Sequence, residues 1–284
     1  GTSMSVSATS SGTWYLVLRS YNGGIIGGDL TLGGYSFDAA GPTVGTVATS
    51  NYSYNDQYVS SNHTITMSSI ADVGCAGMGT CEYTINGGGA WSAGSYSGGT
   101  CEATNVACVN GAALVINMRA SDAKGNATTA TAVNRTCDTL PPTVTITAPA
   151  ASSWQNDDFV VSATVSDALS GVSGCEYRVV SNSVQTLGWT SYTCAAGPTV
   201  TVGAAANCNV QGTDECEVFL RATDNVQNVS TAVSRTFSID WTAPNNVASV
   251  SAWDSSAKTQ SLTSGNSYTY NGPTGPYFEW TAPS

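Results

Sequence analysis

The chain has 284 residues and a formal net charge of −11 at pH 7, from 8 Lys and Arg against 19 Asp and Glu. A surface this acidic argues against a nucleic-acid partner, which needs a basic face to meet phosphate. Apolar residues are 41% and charged residues only 10%, with 30 Gly, so the chain can build packed cores from strands and turns; no apolar run is long enough for a membrane helix.

Residues 1–37 carry YLVLRSYNGG, a strand leading into a polar turn, and read as the C-terminal hairpin of a preceding module. No basic start leads into an apolar run there, so an export signal is expected outside this sequence. At Asp38 a proline-bearing segment begins, DAAGPT. Similar segments begin at Asp138 (DTLPPT) and Asp240 (DWTAPN), about 100 residues apart. An Arg precedes each Asp by the same interval: Arg19, Arg119 and Arg221. A constant length from Arg to Asp is what a hairpin of set register requires. Arg135 aligns with Arg235, CEYTI from Cys81 with CEYRV from Cys175, and Trp91 with Trp189. The repeat divides the chain into modules 38–137 and 138–239, with 240–284 as the N-terminal strands of a following module.

Within 138–239, strands are expected at Thr143–Thr147, Phe159–Val165, Cys175–Val180, Thr199–Val202, Val218–Ala222 and Thr231–Ile239. Val161, Ala163 and Val165 alternate with Val160, Ser162 and Thr164, which gives one apolar face. No window holds a sustained helical period. Six or seven short strands per module make an all-β fold of tandem β-sandwiches.

The succession of Asp, Pro, SDALSGVSGCEYRV, a Trp and RATDNVQN resembles bacterial immunoglobulin-like repeats. The resemblance extends along the whole chain. It implies tandem immunoglobulin-like sandwiches, a place in a large secreted or surface protein, a stalk, adhesin or filament role, and no catalytic residues. The cysteines and the incomplete end modules depart from that pattern.

Nine cysteines and one histidine, with no C-x-x-C pair, argue against a zinc site and for disulfides in an oxidising, extracellular setting. Cys108 and Cys137 are almost equidistant from the turn SDAKGN, so they could face each other at a hairpin's open end. Cys81 with Cys101 flanks Trp91, Cys175 with Cys194 flanks Trp189, and Cys208 with Cys216 closes a short loop. These pairs are the expected ones, although sequence alone leaves connectivity open. Cys75 is left over.

In an immunoglobulin-like sandwich, two loops meet at the pole where the chain enters. That pole would gather Asp38, Asp72 and Asp122 with Asn126 in the first module, and Asp138, Asp167 and Asp224 with Asn228 in the second. Carboxylates and an amide at a module junction suit Ca²⁺, which takes six to eight oxygens. Asp and Asn at such tips also form Asx-turns, and that reading has the greater weight.

Arg119 and Arg221 have two sets of partners open to them: Asp122 and Asp224, or Glu82 and Glu176. Trp91 and Trp189 are expected in the core rather than as sugar-stacking platforms. His63 lacks a companion nucleophile or carboxylate and is not expected to be catalytic. GGDLTLGG and NGGG read as turns. Together these readings point to a non-enzymatic repeat of an extracellular stalk, adhesin or filament. Its partner is itself or a neighbouring module, and its half-modules could polymerise by strand exchange. The alternatives are a glycan- or protein-binding adhesive module, with contacts from the loop around Asn182 to Ser191 or from an exposed cluster of Tyr52, Tyr54 and Tyr58, and an accessory region of a secreted enzyme.

Overall fold

The computed structural model describes residues 38–74, 76–195 and 197–244, and outside these 12–13, 36–37, 250–253, 258, 261–262 and 277–280. Arg19, Cys75 and the segment GGDLTLGG lie outside the described residues. Short strands β1 (Gly12–Thr13) and β2 (Ser36–Phe37) pair antiparallel.

The first sandwich holds β3 (Val47–Ser50), β4 (Ser53–Tyr54), β5 (Tyr58–Val59), β6 (His63–Met67), β7 (Met78–Thr84), β8 (Ser92–Ala93), β9 (Ser95–Ser97), β10 (Thr100–Val106), β11 (Ala113–Asp122), β12 (Ala127–Thr129) and β13 (Val133–Cys137). One sheet runs β3-β6-β10-β9; the facing sheet runs β4-β5-β13-β11-β7-β8, with β12 on β11.

The second sandwich repeats this plan with fewer breaks. It comprises β14 (Thr143–Ala148), β15 (Trp154–Gln155), β16 (Phe159–Ser166), β17 (Val172–Ser181), β18 (Val184–Tyr192), β19 (Thr199–Val202), the one-turn helix α1 (Ala204–Asn207), β20 (Gly212–Asp224) and β21 (Val233–Ile239). Its sheets run β14-β16-β19 and β15-β21-β20-β17-β18. In both sandwiches the last strand pairs parallel to a short early one, β13 with β5 and β21 with β15. The fold is all-β, two immunoglobulin-like sandwiches in tandem.

Each core follows from strand alternation. Leu114, Ile116, Met118 and Ala120 of β11 are buried, as are Cys216, Val218, Leu220 and Ala222 of β20, with outward residues between them. The same parity carries the next inward position to Asp122 and Asp224, buried at the ends of their strands. Phe237 stands at the inward position that Cys137 fills in the first sandwich. It is fully buried and packs on Phe159 at a ring distance of 4.9 Å.

Four disulfides tie the sandwiches: Cys81–Cys101, Cys108–Cys137, Cys175–Cys194 and Cys208–Cys216. Cys81 is on β7 and Cys101 on β10, so their bond crosses the core from one sheet to the other. A Cβ on Gly94 would fall 2.8 Å from Cys81 Sγ, so only glycine lets the chain between β8 and β9 pass over this bond.

Three expectations change. The segment Asn182–Ser191 is not a loop: Asn182 and Ser183 turn at positive φ, and β18 runs on through Tyr192. The indoles of Trp91 and Trp189 lie outside both cores, half-exposed on an outer sheet face. Each is stacked on by an arginine, Arg119 at 4.3 Å and Arg221 at 4.1 Å, which is held in turn by Glu82 or Glu176 at 2.7 Å. The glutamates sit directly across the strand pair from these arginines (Arg119↔Glu82, Arg221↔Glu176), a geometry that the loop aspartates do not offer. The last strand of the second sandwich begins at Val233 rather than Thr231. Beyond Asp240, β22 (Val250–Trp253), β23 (Ser261–Leu262) and β24 (Tyr277–Trp280) form an antiparallel sheet in the order β23-β22-β24.

Candidate functional site

Two loops and the incoming chain meet at the leading pole of each sandwich. In the first, Asp38, Asp72 and Asp122 each offer an oxygen within 4.8 Å of the others; in the second, Asp138, Asp167 and Asp224 do the same. The Asp122 and Asp224 loops match bond for bond. Asp122 Oδ1 accepts from the Lys124 and Asn126 amides, and Oδ2 accepts from Asn126 Nδ2 at 2.7 Å. Asp224 Oδ1 accepts from the Val226 and Asn228 amides, and Oδ2 accepts from Asn228 Nδ2 at 2.7 Å. The asparagine Nδ2 also donates to the first aspartate's carbonyl, Asp38 O or Asp138 O, at 3.0 Å in both sites.

The remaining carboxylates are equally ordered. Asp38 Oδ2 accepts from the Ala76 amide and Asp138 Oδ2 from the Ser170 amide, both at 2.9 Å. Asp72 accepts from Gly74 and Gly77, and Asp167 from Leu169 and Gly171. All six aspartates thus bond the amide two residues on, the Asx-turn geometry weighed against a metal role from sequence. A Cβ on Gly74 would fall 1.9 Å from Asp38 Oδ2, so the first site closes only over glycine there.

The sites differ in electrostatics. Burial pushes the Asp224 carboxyl above the ordinary carboxylate value, Asp138 adds to the rise, and the bonds from Asn228 and Val226 do not cancel it. Burial acts upward on Asp122 as well, but the bonds from Asn126 and Lys124 outweigh it and hold that carboxyl below the ordinary value.

The spacing fits a hard cation. Calcium–oxygen bonds are about 2.3–2.6 Å, so two ligands on opposite sides of one ion lie about 4.8 Å apart. Each aspartate keeps lone pairs beyond those its N–H donors use, since a carboxylate offers about four acceptor sites. Ca²⁺ held there would offset the mutual repulsion of three carboxylates. The arrangement contains no nucleophile with an adjoining base.

His63 is in the first sandwich's core, fully buried. Its Nδ1 lies 2.7 Å from Ser60 O, and among the described residues Nε2 has no partner. Burial lowers its pKa; the Ser60 carbonyl acts the other way, and Arg135 adds to the lowering. A depressed histidine contributes stability that is present above its unfolded value of 6.5 and is lost as pH falls through the folded one. Between pH 7 and pH 5 the first sandwich should therefore lose stability, while the second, which has no histidine and whose raised Asp224 acts in the opposite direction as pH falls, should lose none. Amide-resolved melting by NMR reads both. A slope in the first sandwich that persists in His63→Gln would show that another group is responsible.

Sequence reasoning missed Ser60, which donates from the first sandwich to Asn228 Oδ1 of the second at 2.8 Å. A lone serine after a two-residue strand carries no signal for such a contact. Among the described residues, no helix is long and apolar enough to cross a membrane.

Residues 142–198 match the model of the bacterial Ig domain. No curated protein sequence matches the chain. Among solved structures, it is similar to the Clostridium thermocellum CbhA fibronectin(III)-like modules, at 18% identity over 69% of this chain and 94% of that one, with a TM-score of 0.39. It is also similar to an I-band fragment of titin, at 10% identity over 86% and 89%, with a TM-score of 0.40. Three N-terminal domains of the bacteriophage RB49 Highly Immunogenic Outer Capsid protein match at 11% identity over 85% and 87%, with a TM-score of 0.36. The family match therefore falls within the second sandwich, and the first sandwich shares its topology and its aspartate pole.

Proposed function

We propose that this chain is a non-enzymatic structural segment of an extracellular stalk, adhesin or filament, with modules at 38–137 and 138–239 and Ca²⁺ at their leading poles. One observation carries this reading. Asp138 follows directly on Cys137 of β13, its amide donates to Val59 O of the first module, and its carboxylate belongs to the second module's cluster. An ion bound there would sit on the connection itself and stiffen it. The disulfides support an oxidising location.

Calcium should raise the melting temperature relative to chelator. At a free concentration one hundred times its Kd, the gain is about 2.7 kcal/mol for each occupied module. Magnesium, which demands a tighter octahedral shell, should give less. Equal melting with calcium and with chelator, together with no binding by titration calorimetry, would sink the metal part and leave the turn role. Assembly by strand exchange is a further part of the proposal, supported by Val250 and Phe278, which are 64% and 55% exposed on the sheet beyond Asp240. Negative-stain microscopy of the full chain reads it. Ordered filaments lost on deletion of 240–284 support exchange; short rods count against it.

A further inference from the structure

A chain of hydrogen bonds runs from the first module's core to the second module's pole. His63 Nδ1 bonds Ser60 O at 2.7 Å, Ser60 Oγ donates to Asn228 Oδ1 at 2.8 Å, and Asn228 Nδ2 donates to Asp224 Oδ2 and Asp138 O. Ser60 is 3% exposed, and its own amide is bonded to Tyr52 O. Two contacts flank this bond, one backbone to backbone and one to a side chain: Asp138 N–H to Val59 O at 2.8 Å, and Thr139 N–H to Asn110 Oδ1 at 2.8 Å.

In the first module, Asn126 makes the same two inward bonds, to Asp122 Oδ2 and Asp38 O, and among the described residues nothing donates to its Oδ1. The inward bonds therefore belong to the module. The outward acceptor is the part of the loop that meets the module before it.

We propose that the Ser60 turn is the docking surface on the first module for the loop asparagine of the second, and that this direct bond fixes the angle between the modules without an ion. An amide pinned by two inward bonds presents its oxygen in one direction. A hydroxyl on a buried turn, anchored by His63 and Tyr52, meets it in one direction too. A contact this short between two anchored groups permits little rotation about Cys137 and Asp138.

The proposal goes beyond the calcium reading and fails separately from it. Residual dipolar couplings of the full chain, measured with Ca²⁺ and with chelator, report whether the modules share one alignment. We expect a single alignment under both conditions for the natural sequence. Ser60→Ala should show two, with exchange of the Asp138 amide faster by about tenfold, as loss of one buried partner implies. Ser60→Thr, which keeps the hydroxyl, should restore the single alignment. Shifts in the rest of each module should stay unchanged in Ser60→Ala, which separates a junction role from a folding defect. Two results would overturn the inference: a single alignment retained in Ser60→Ala, or a natural chain rigid only with Ca²⁺, which would leave the metal reading standing alone.

Discussion

Asp224→Ala should cost the second module about 3–5 kcal/mol, because three N–H donors at a site 1% exposed lose their acceptor at once. The Val226 and Asn228 amides and Asn228 Nδ2 cannot turn to water without opening the loop. The module's melting temperature should fall by roughly 15 °C or more. Asp224→Asn keeps an acceptor for the two amides but opposes an NH₂ group to Asn228 Nδ2, so a smaller loss of about 1–2 kcal/mol is expected. The exposed Asp157, which caps only its neighbour's amide, should move by less than about 0.5 kcal/mol on mutation to Ala. Calorimetry in chelator separates this effect from any ion. A loss below 1 kcal/mol in Asp224→Ala would show that the carboxylate is not what holds the loop.

The second large effect lies in the disulfides. Cys81–Cys101 and Cys108–Cys137 close separations of 20 and 29 residues, and loop-closure entropy assigns each about 3–4 kcal/mol. Together they rival the whole stability of a small domain, commonly 5–15 kcal/mol. The first module, with both bonds reduced, should unfold near room temperature or show a melt lowered by tens of degrees. Accessibility sets the order of loss. Cys194 is partly exposed, so Cys175–Cys194 should open before Cys81–Cys101, whose residues lie in the core at 4% and 0% exposure. Timed alkylation with mass spectrometry gives the sequence of events. A reduced first module that melts as the oxidised one does would refute the assignment of its stability to these bonds.

Much of the fold is written in local patterns. The alternation in FVVSATVS, the constant interval from Arg to Asp and the duplicated CEY signature need no tertiary knowledge, because strand period and hairpin register are local properties. Strand parity also explains why Asp122 and Asp224 are buried: each is the inward position that follows Ala120 or Ala222. What local pattern does not give is which groups meet across the sandwich. Trp91 and Trp189 repeat in sequence as core residues do, yet they stand outside, because opposed Arg and Glu on neighbouring strands offer a stacking surface there. The stretch from Asn182 to Ser191 reads as a loop, yet the chain pairs onward as β18, because β17 offers it an edge.

The sequence by itself determined the all-β class, the repeat and the aspartates that recur in each module, since each rests on spacing along one chain. Tertiary structure decided the rest: which backbone amides the clustered aspartates accept from, that the Cys81–Cys101 bond spans two sheets, and that Ser60 meets Asn228, 168 positions away. The physical reason is that these are contacts between elements whose relative placement is fixed only when both sheets bury their apolar faces together, and no residue's immediate neighbours encode that packing.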